Sequence, residues 1–180
     1  MNVIILLLLI SARIHYAANG DLYFYVTSPR RLAYSYQIRP APAIGSAFPR
    51  TIAKNVQLIY AYPSTGCQPL KNLFVAGKAV LIERGECSFQ QKGLIASEAG
   101  AAFVLITDIE NNNVESLVMV AADENAPKAT IPVAYLVGAS GRKLRDNLLY
   151  RNEDIFINIP LNFSTSIGET IPSKPPWELW

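Results

Sequence analysis

The 180-residue chain has a single histidine, His15, and it lies within the first 18 residues. A proton shuttle near neutral pH is most readily built on histidine, and both Ser-His-Asp and Cys-His sites need one. If the first residues are removed as a leader, the mature chain has no such group. Its two cysteines, Cys67 and Cys87, are too far apart for a C-x-x-C redox pair. Without a mature histidine they also cannot complete a tetrahedral zinc site. In an oxidising compartment a lone pair of cysteines has one intramolecular connectivity. A loop of about 20 residues closed in this way stabilises by about 3 kcal/mol on the chain-entropy model.

Carboxylates are the remaining candidates for acid–base work. Glu83 and Glu86 flank Arg84 just after an apolar run, where a solvated cluster of opposite charges is the simpler expectation. A second group, Asp108, Glu110, Glu115, Asp123 and Glu124, supplies the oxygens that calcium prefers, without the D-x-D-x-D-G spacing of a calcium loop. No metal ligand set and no cofactor site are expected. Gly138-Ala139-Ser140-Gly141-Arg142-Lys143 follows a strand-like run and opens a helical pattern, a geometry able to hold an anion. It is not a nucleotide fingerprint, because Leu144 stands where a third glycine belongs. Asn162-Phe163-Ser164 is a glycosylation sequon. The chain ends Lys174-Pro175-Pro176-Trp177-Glu178-Leu179-Trp180. The prolines favour an extended path and the indoles carry large apolar area. Such a tail either docks on a partner through Trp177 and Trp180 or folds back on its own domain. The second is favoured, since two displayed tryptophans invite association.

These side chains need a scaffold. Hydrophobic residues make up 51% of the chain and charged residues 17%, enough apolar surface for a core and too much for disorder. The formal charge is +2, so no global basicity points to nucleic acid or an anionic membrane. Charge is segregated instead: residues 21–82 are basic and 83–128 acidic, which reads as a surface pattern. Val3 to Ile10 is unbroken apolar sequence followed by small Ala17 and Ala18. That is the form of a secretory signal, and it is too short for a bilayer core of about 30 Å. Residues 1–18 are read as the signal peptide, with a buried N-terminal strand as the alternative. No later run is long enough for a membrane span, and secretion is the expected destination.

Strands are expected at Leu22–Val26, Leu32–Ile38 and Val56–Tyr62, each closed by proline. Lys78–Ile82 and Ala101–Ile106 are continuous apolar runs, the pattern of strands buried on both faces. Between them Ser88 and Gln91 form a capping-box signal, Gly93, Ala96 and Ala99 give a small helix face, and Gly100 suits a left-handed cap. This strand–helix–strand unit is expected to be parallel and right-handed. Residues 108–128 read as a surface loop with a short helix or strand near Leu117–Ala121. Ile131–Val137 is the next strand. Ser140 is expected to cap a helix carrying Leu144 and Leu148, and Ile155–Ile159 is the last strand. The fold class is α/β, bordering on α+β, with a barrel or sandwich-like core and two flanking helices.

The stretch AVLIERGECSFQQKGLIASEAGAAFVLITD, residues 79–108, resembles the signature of the protease-associated (PA) domain family. The matching positions are Glu83, Arg84, Gly85, Cys87, Phe89, Lys92, Ala99, Gly100 and Ala101. Ile131-Pro132-Val133 and the glycine-led helix from Gly138 resemble later parts of the same domain. The signature covers about 56–159, within a single domain over 19–163 that is followed by a tail over 164–180. The resemblance implies that Cys67 pairs with Cys87, and that the role is non-catalytic recognition of protein or peptide. The expected contacts are Arg84, Glu86, Trp177 and Trp180, with glycosylation at Asn162. Two rivals stand beside this reading: a small secreted hydrolase using carboxylates or calcium, and a luminal sorting or retention factor. Neither the partner nor the oligomeric state is written in the sequence.

Overall fold

A computed structural model describes residues 22–108, 119–123, 125–161 and 174–178. Seven strands, β1 (Leu22–Ser28), β2 (Ser35–Pro40), β3 (Ala53–Tyr60), β4 (Ala79–Glu83), β5 (Phe103–Thr107), β6 (Val133–Leu136) and β7 (Ile155–Leu161), close into a barrel in the order β1-β2-β6-β5-β4-β3-β7. The strands β3, β4, β5 and β6 run parallel to one another, and the other four junctions are antiparallel.

Strand alternation divides the core in two. Ala79 and Leu81 of β4, Phe103 and Leu105 of β5, and Ile155, Ile157 and Ile159 of β7 point into the barrel with Phe24, Tyr36 and Ile38. Val80, Ile82, Val104, Ile106, Val133 and Tyr135 point outward. They are covered by helix α1 (Phe89–Glu98), which buries Lys92, Gly93 and Ala96. Every residue of β4, β5 and β6 is therefore buried, and this is why their sequences are apolar without alternation. The small face of α1 permits the close approach. A Cβ at Gly93 would lie 3.2 Å from Ala129 Cβ and from Val133 Cγ2.

The cap residues of α1 behave as their types require. Ser88 Oγ accepts from Gln91 N–H at 3.1 Å, and Gly100 takes φ +81° just past the helix end. The Gln91 side chain, however, reaches Cys67 O at 3.5 Å. A second helix, α2 (Gly138–Asp146), packs on the barrel end at Thr107, followed by a π-helical turn over Asn147–Arg151.

Several elements start elsewhere than the sequence suggests. Leu32 belongs to a 3-10 turn over Arg30–Leu32, so β2 begins at Ser35. Strand β3 begins at Ala53 and ends at Tyr60, because Asn72 takes over the next backbone groups: its side chain accepts from Tyr62 N–H at 2.7 Å and donates to Tyr60 O at 2.8 Å. Val137 precedes α2 as its N-cap, so Ser140 sits inside the helix and does not cap it. Residues 119–121 carry no helix or strand, and the rest of the element expected near Leu117 lies outside the described residues. Residues 1–18, read above as a signal peptide, lie outside them as well.

Candidate functional site

Four of the charged side chains singled out by the sequence, Glu83, Arg84, Glu86 and Asp108, lie at the carboxyl ends of β4 and β5. Glu83 closes β4 on the inward face and is 7% exposed. It accepts a hydrogen bond from the Tyr60 hydroxyl and lies 3.7 Å from Arg145 of α2. Burial, reinforced by this bond, pushes the Tyr60 phenol well above its ordinary range. The expectation of a solvated Glu83–Arg84–Glu86 cluster is therefore corrected: Glu83 is a buried anchor between barrel and helix. Asp108 is likewise 7% exposed and not part of a solvated loop. Arg84 donates to it at 3.2 Å and the Tyr135 hydroxyl at 2.9 Å. Tyr60 belongs to the inner core and Tyr135 to the outer one. The two buried carboxylates are thus held on opposite faces of the sheet and do not converge on one cleft.

Between them the chain turns through Gly85 and Glu86, both at positive φ (+113° and +65°). This turn delivers Cys87 to Cys67, and the two form a disulfide with Cα atoms 5.7 Å apart. Arg84 and Glu86 remain on the surface, and Glu86 accepts from the Thr65 hydroxyl at 2.9 Å.

Lys92 organises this turn from beneath. It is 0% exposed, and its ammonium donates to Thr65 O at 2.5 Å and Gly85 O at 2.7 Å, with Cys67 Sγ at 3.3 Å. Burial lowers its pKa to about 8, against the pull of Glu86 and Glu83. The motif resemblance includes Lys92 but gives it no role. The available signal was its spacing: Lys92 and Ala96 stand one turn apart on the buried face of α1.

A second constellation lies where α2 meets the described part of the tail. Trp177 packs edge-on against Tyr34 with ring centroids 5.5 Å apart and leans over Tyr36 at 6.4 Å. Its indole N–H donates to Ser140 Oγ at 3.0 Å, and the Ser140 hydroxyl donates to the Glu178 carboxylate. Lys143 Nζ stands 5.8 Å from the centre of the indole. The anion at this end of α2 is thus the chain's own Glu178. Trp180 and Asn162 lie outside the described residues. Among those described, no three His, Cys, Asp or Glu side chains gather as a metal site, and no helix is long and apolar enough to cross a membrane. Of the proposed calcium donors, Glu110, Glu115 and Glu124 lie outside the described residues, and Asp123 accepts from Asn125 N–H at 2.8 Å. Exposed apolar side chains that the sequence reading did not single out include Leu73 and Phe74, both 82% exposed, and Tyr150.

This parallel strand–helix–strand unit with its E-R-G-x-C turn agrees with a direct family match: residues 54–144 fit the model of the PA domain, and the chain belongs to that family. Over 168 residues it is 36% identical to the PRADC1-like protein of Drosophila melanogaster, covering 89% of this chain and 83% of that one. A shorter match, 37% identical over 97 residues, is to Signal peptide peptidase-like 2 of Arabidopsis thaliana and covers 17% of it. Among solved structures, an aminopeptidase from Aneurinibacillus sp. strain AM-1 matches with a TM-score of 0.58 at 18% identity, over 80% of this chain and 31% of that one. A peptidase M28 precursor from Shewanella amazonensis SB2B matches with a TM-score of 0.53 at 14% identity, over 79% and 34%. The chain spans about a third of each peptidase, and at these identities the likeness concerns the fold.

Proposed function

We propose that this protein is a secreted glycoprotein whose PA domain acts by binding protein or peptide, without chemistry of its own. The observation that carries the reading is the commitment of the buried carboxylates. Glu83 is held by Tyr60 and Arg145, Asp108 by Arg84 and Tyr135, and the pairs occupy opposite faces. A hydrolase using paired carboxylates needs both groups in one cleft with room for water or a nucleophile. The leader-like N-terminus, the disulfide and the Asn162 sequon support export. Arg84 and Glu86 stand beside each other on the rim at the carboxyl ends of parallel strands, a common place for recognition in α/β folds.

The test is expression of the full chain in a secretory cell line. Recovery from the medium, with an N-terminus near residue 18 and a glycosidase-sensitive mass lost in Asn162→Gln, is expected. Retention of the processed chain inside the cell would favour the luminal sorting reading instead.

A further inference from the structure

The described end of the tail is seated in a cleft of defined chemistry. Pro175 is buried, and Pro176–Glu178 form one 3-10 turn. The rings of Tyr34 and Tyr36 receive the indole of Trp177, and the inward cluster of the barrel packs against it. Ser140, 0% exposed, accepts from the indole N–H and donates to the carboxylate one residue later. Lys143 completes the slot over the indole face. An aromatic slot, one hydroxyl that recognises an N–H and an adjacent carboxylate, and a cation above the ring together select a tryptophan followed by an acid. The preceding prolines hold the segment extended before it is bound, which lowers the ordering cost.

We propose that this cleft is a recognition site for a proline–tryptophan–acidic segment of a partner, and that the chain's own Pro176-Trp177-Glu178 occupies it as a resident competitor. The inference rests on the binding reading above and names the partner's chemistry. Beside Trp177 the cleft opens into a depression of about 380 Å³ lined by Arg31, Lys143, Asp146, Asn147, Tyr150 and Arg151. Arg31 is paired with Glu153 and Asp146 with Arg145, so Lys143 and Arg151 are the cations that favour a further acidic residue in an incoming segment there. Burial raises the Glu178 pKa, with the Ser140 bond and Lys174 opposing it.

The probe is a blocked synthetic peptide, Lys-Pro-Pro-Trp-Glu-Glu, titrated into the full-length chain labelled with 5-fluorotryptophan. The Trp177 fluorine resonance, assigned with Trp180→Phe, is expected to move saturably to a solvent-exposed position. In a second measurement, Trp177→Ala in the full chain vacates the slot and should bind the fluorescein-labelled peptide at least tenfold more tightly than wild type. Adding Ser140→Ala should remove that gain. A folded chain whose Trp177 resonance stays fixed at millimolar peptide overturns the inference. So does equal peptide binding by wild type and Trp177→Ala. A chain that ignores the peptide yet binds a protein through the Arg84–Glu86 rim sinks this inference and leaves the binding reading standing.

Discussion

Substituting Gly141 by alanine tests how α2 closes the barrel end. A Cβ at this position would lie 1.8 Å from Thr107 Oγ1, 2.5 Å from Thr107 Cβ and 2.6 Å from Thr107 Cγ2. Rotating the threonine cannot relieve this, because its Cβ is fixed to the backbone of β5. The helix must therefore move. Overpacking of this kind costs about 1–3 kcal/mol, and three overlapping atoms place the cost at the upper end. Alanine also favours a helix interior over glycine by about 1 kcal/mol. The net expectation is a loss of about 2 kcal/mol, near thirtyfold in the folding equilibrium. Gly93→Ala supplies the control. The three atoms nearest its new Cβ are side-chain atoms of Ala129, Val133 and Ile44, none nearer than 3.2 Å, so propensity and crowding offset to within about 1 kcal/mol. Urea unfolding followed by circular dichroism reads both variants. A Gly141→Ala chain as stable as wild type, with an unchanged denaturant slope, would refute the packing of α2 on Thr107.

Three further expectations follow from buried or partly buried polar groups. The Thr107 hydroxyl has no hydrogen-bond partner among the described residues, so isosteric Thr107→Val should raise stability by about 1 kcal/mol in the same urea assay. The Lys92 ammonium has a folded pKa of about 8 against an ordinary 10.5, so between these values the unfolded chain binds more protons and stability rises with pH. The tyrosines at 36, 60 and 135 have raised pKa values and act oppositely above pH 10. Their contribution cancels when wild type is compared with Lys92→Met, and that difference should shift in favour of wild type by about 2 kcal/mol from pH 8 to 10. The docked Glu178 carboxyl, faced by Tyr36 and Lys174, has a raised pKa. The docked tail therefore holds more protons than the free one and binds more tightly in acid. Trp177 emission in a Trp180→Phe chain should move red as pH rises through the carboxylate range, and Glu178→Gln should abolish the movement.

Much of the fold was legible because local and tertiary demands coincide. Strands β4 and β5 are covered on both faces, so their burial is written as unbroken apolar sequence. Ser88 and Gly100 occupy positions where only the local backbone decides. Where the sequence misled, a tertiary contact outweighed the local rule. Ser140 has a capping side chain, but its hydroxyl serves Trp177, 37 residues further on, and Val137 takes the N-cap position instead. Glu83 was placed on the surface by its charged neighbours Arg84 and Glu86. The alternation Ala79, Leu81, Glu83 turns it inward, and that pattern was readable in the strand. Its partners Tyr60 and Arg145 come from distant elements, which no local pattern announces. The roles of Lys92 and the Trp177 cleft were hidden for the same reason.

The central claim is that this domain holds its partner without changing it. Its most direct test is to load the purified full chain with a pool of extended peptides, release the bound fraction and weigh each peptide. Saturable retention with every mass unaltered, in wild type and in Glu83→Gln alike, is the predicted result. Cleaved or modified peptides that disappear in Glu83→Gln, with folding intact, would contradict it.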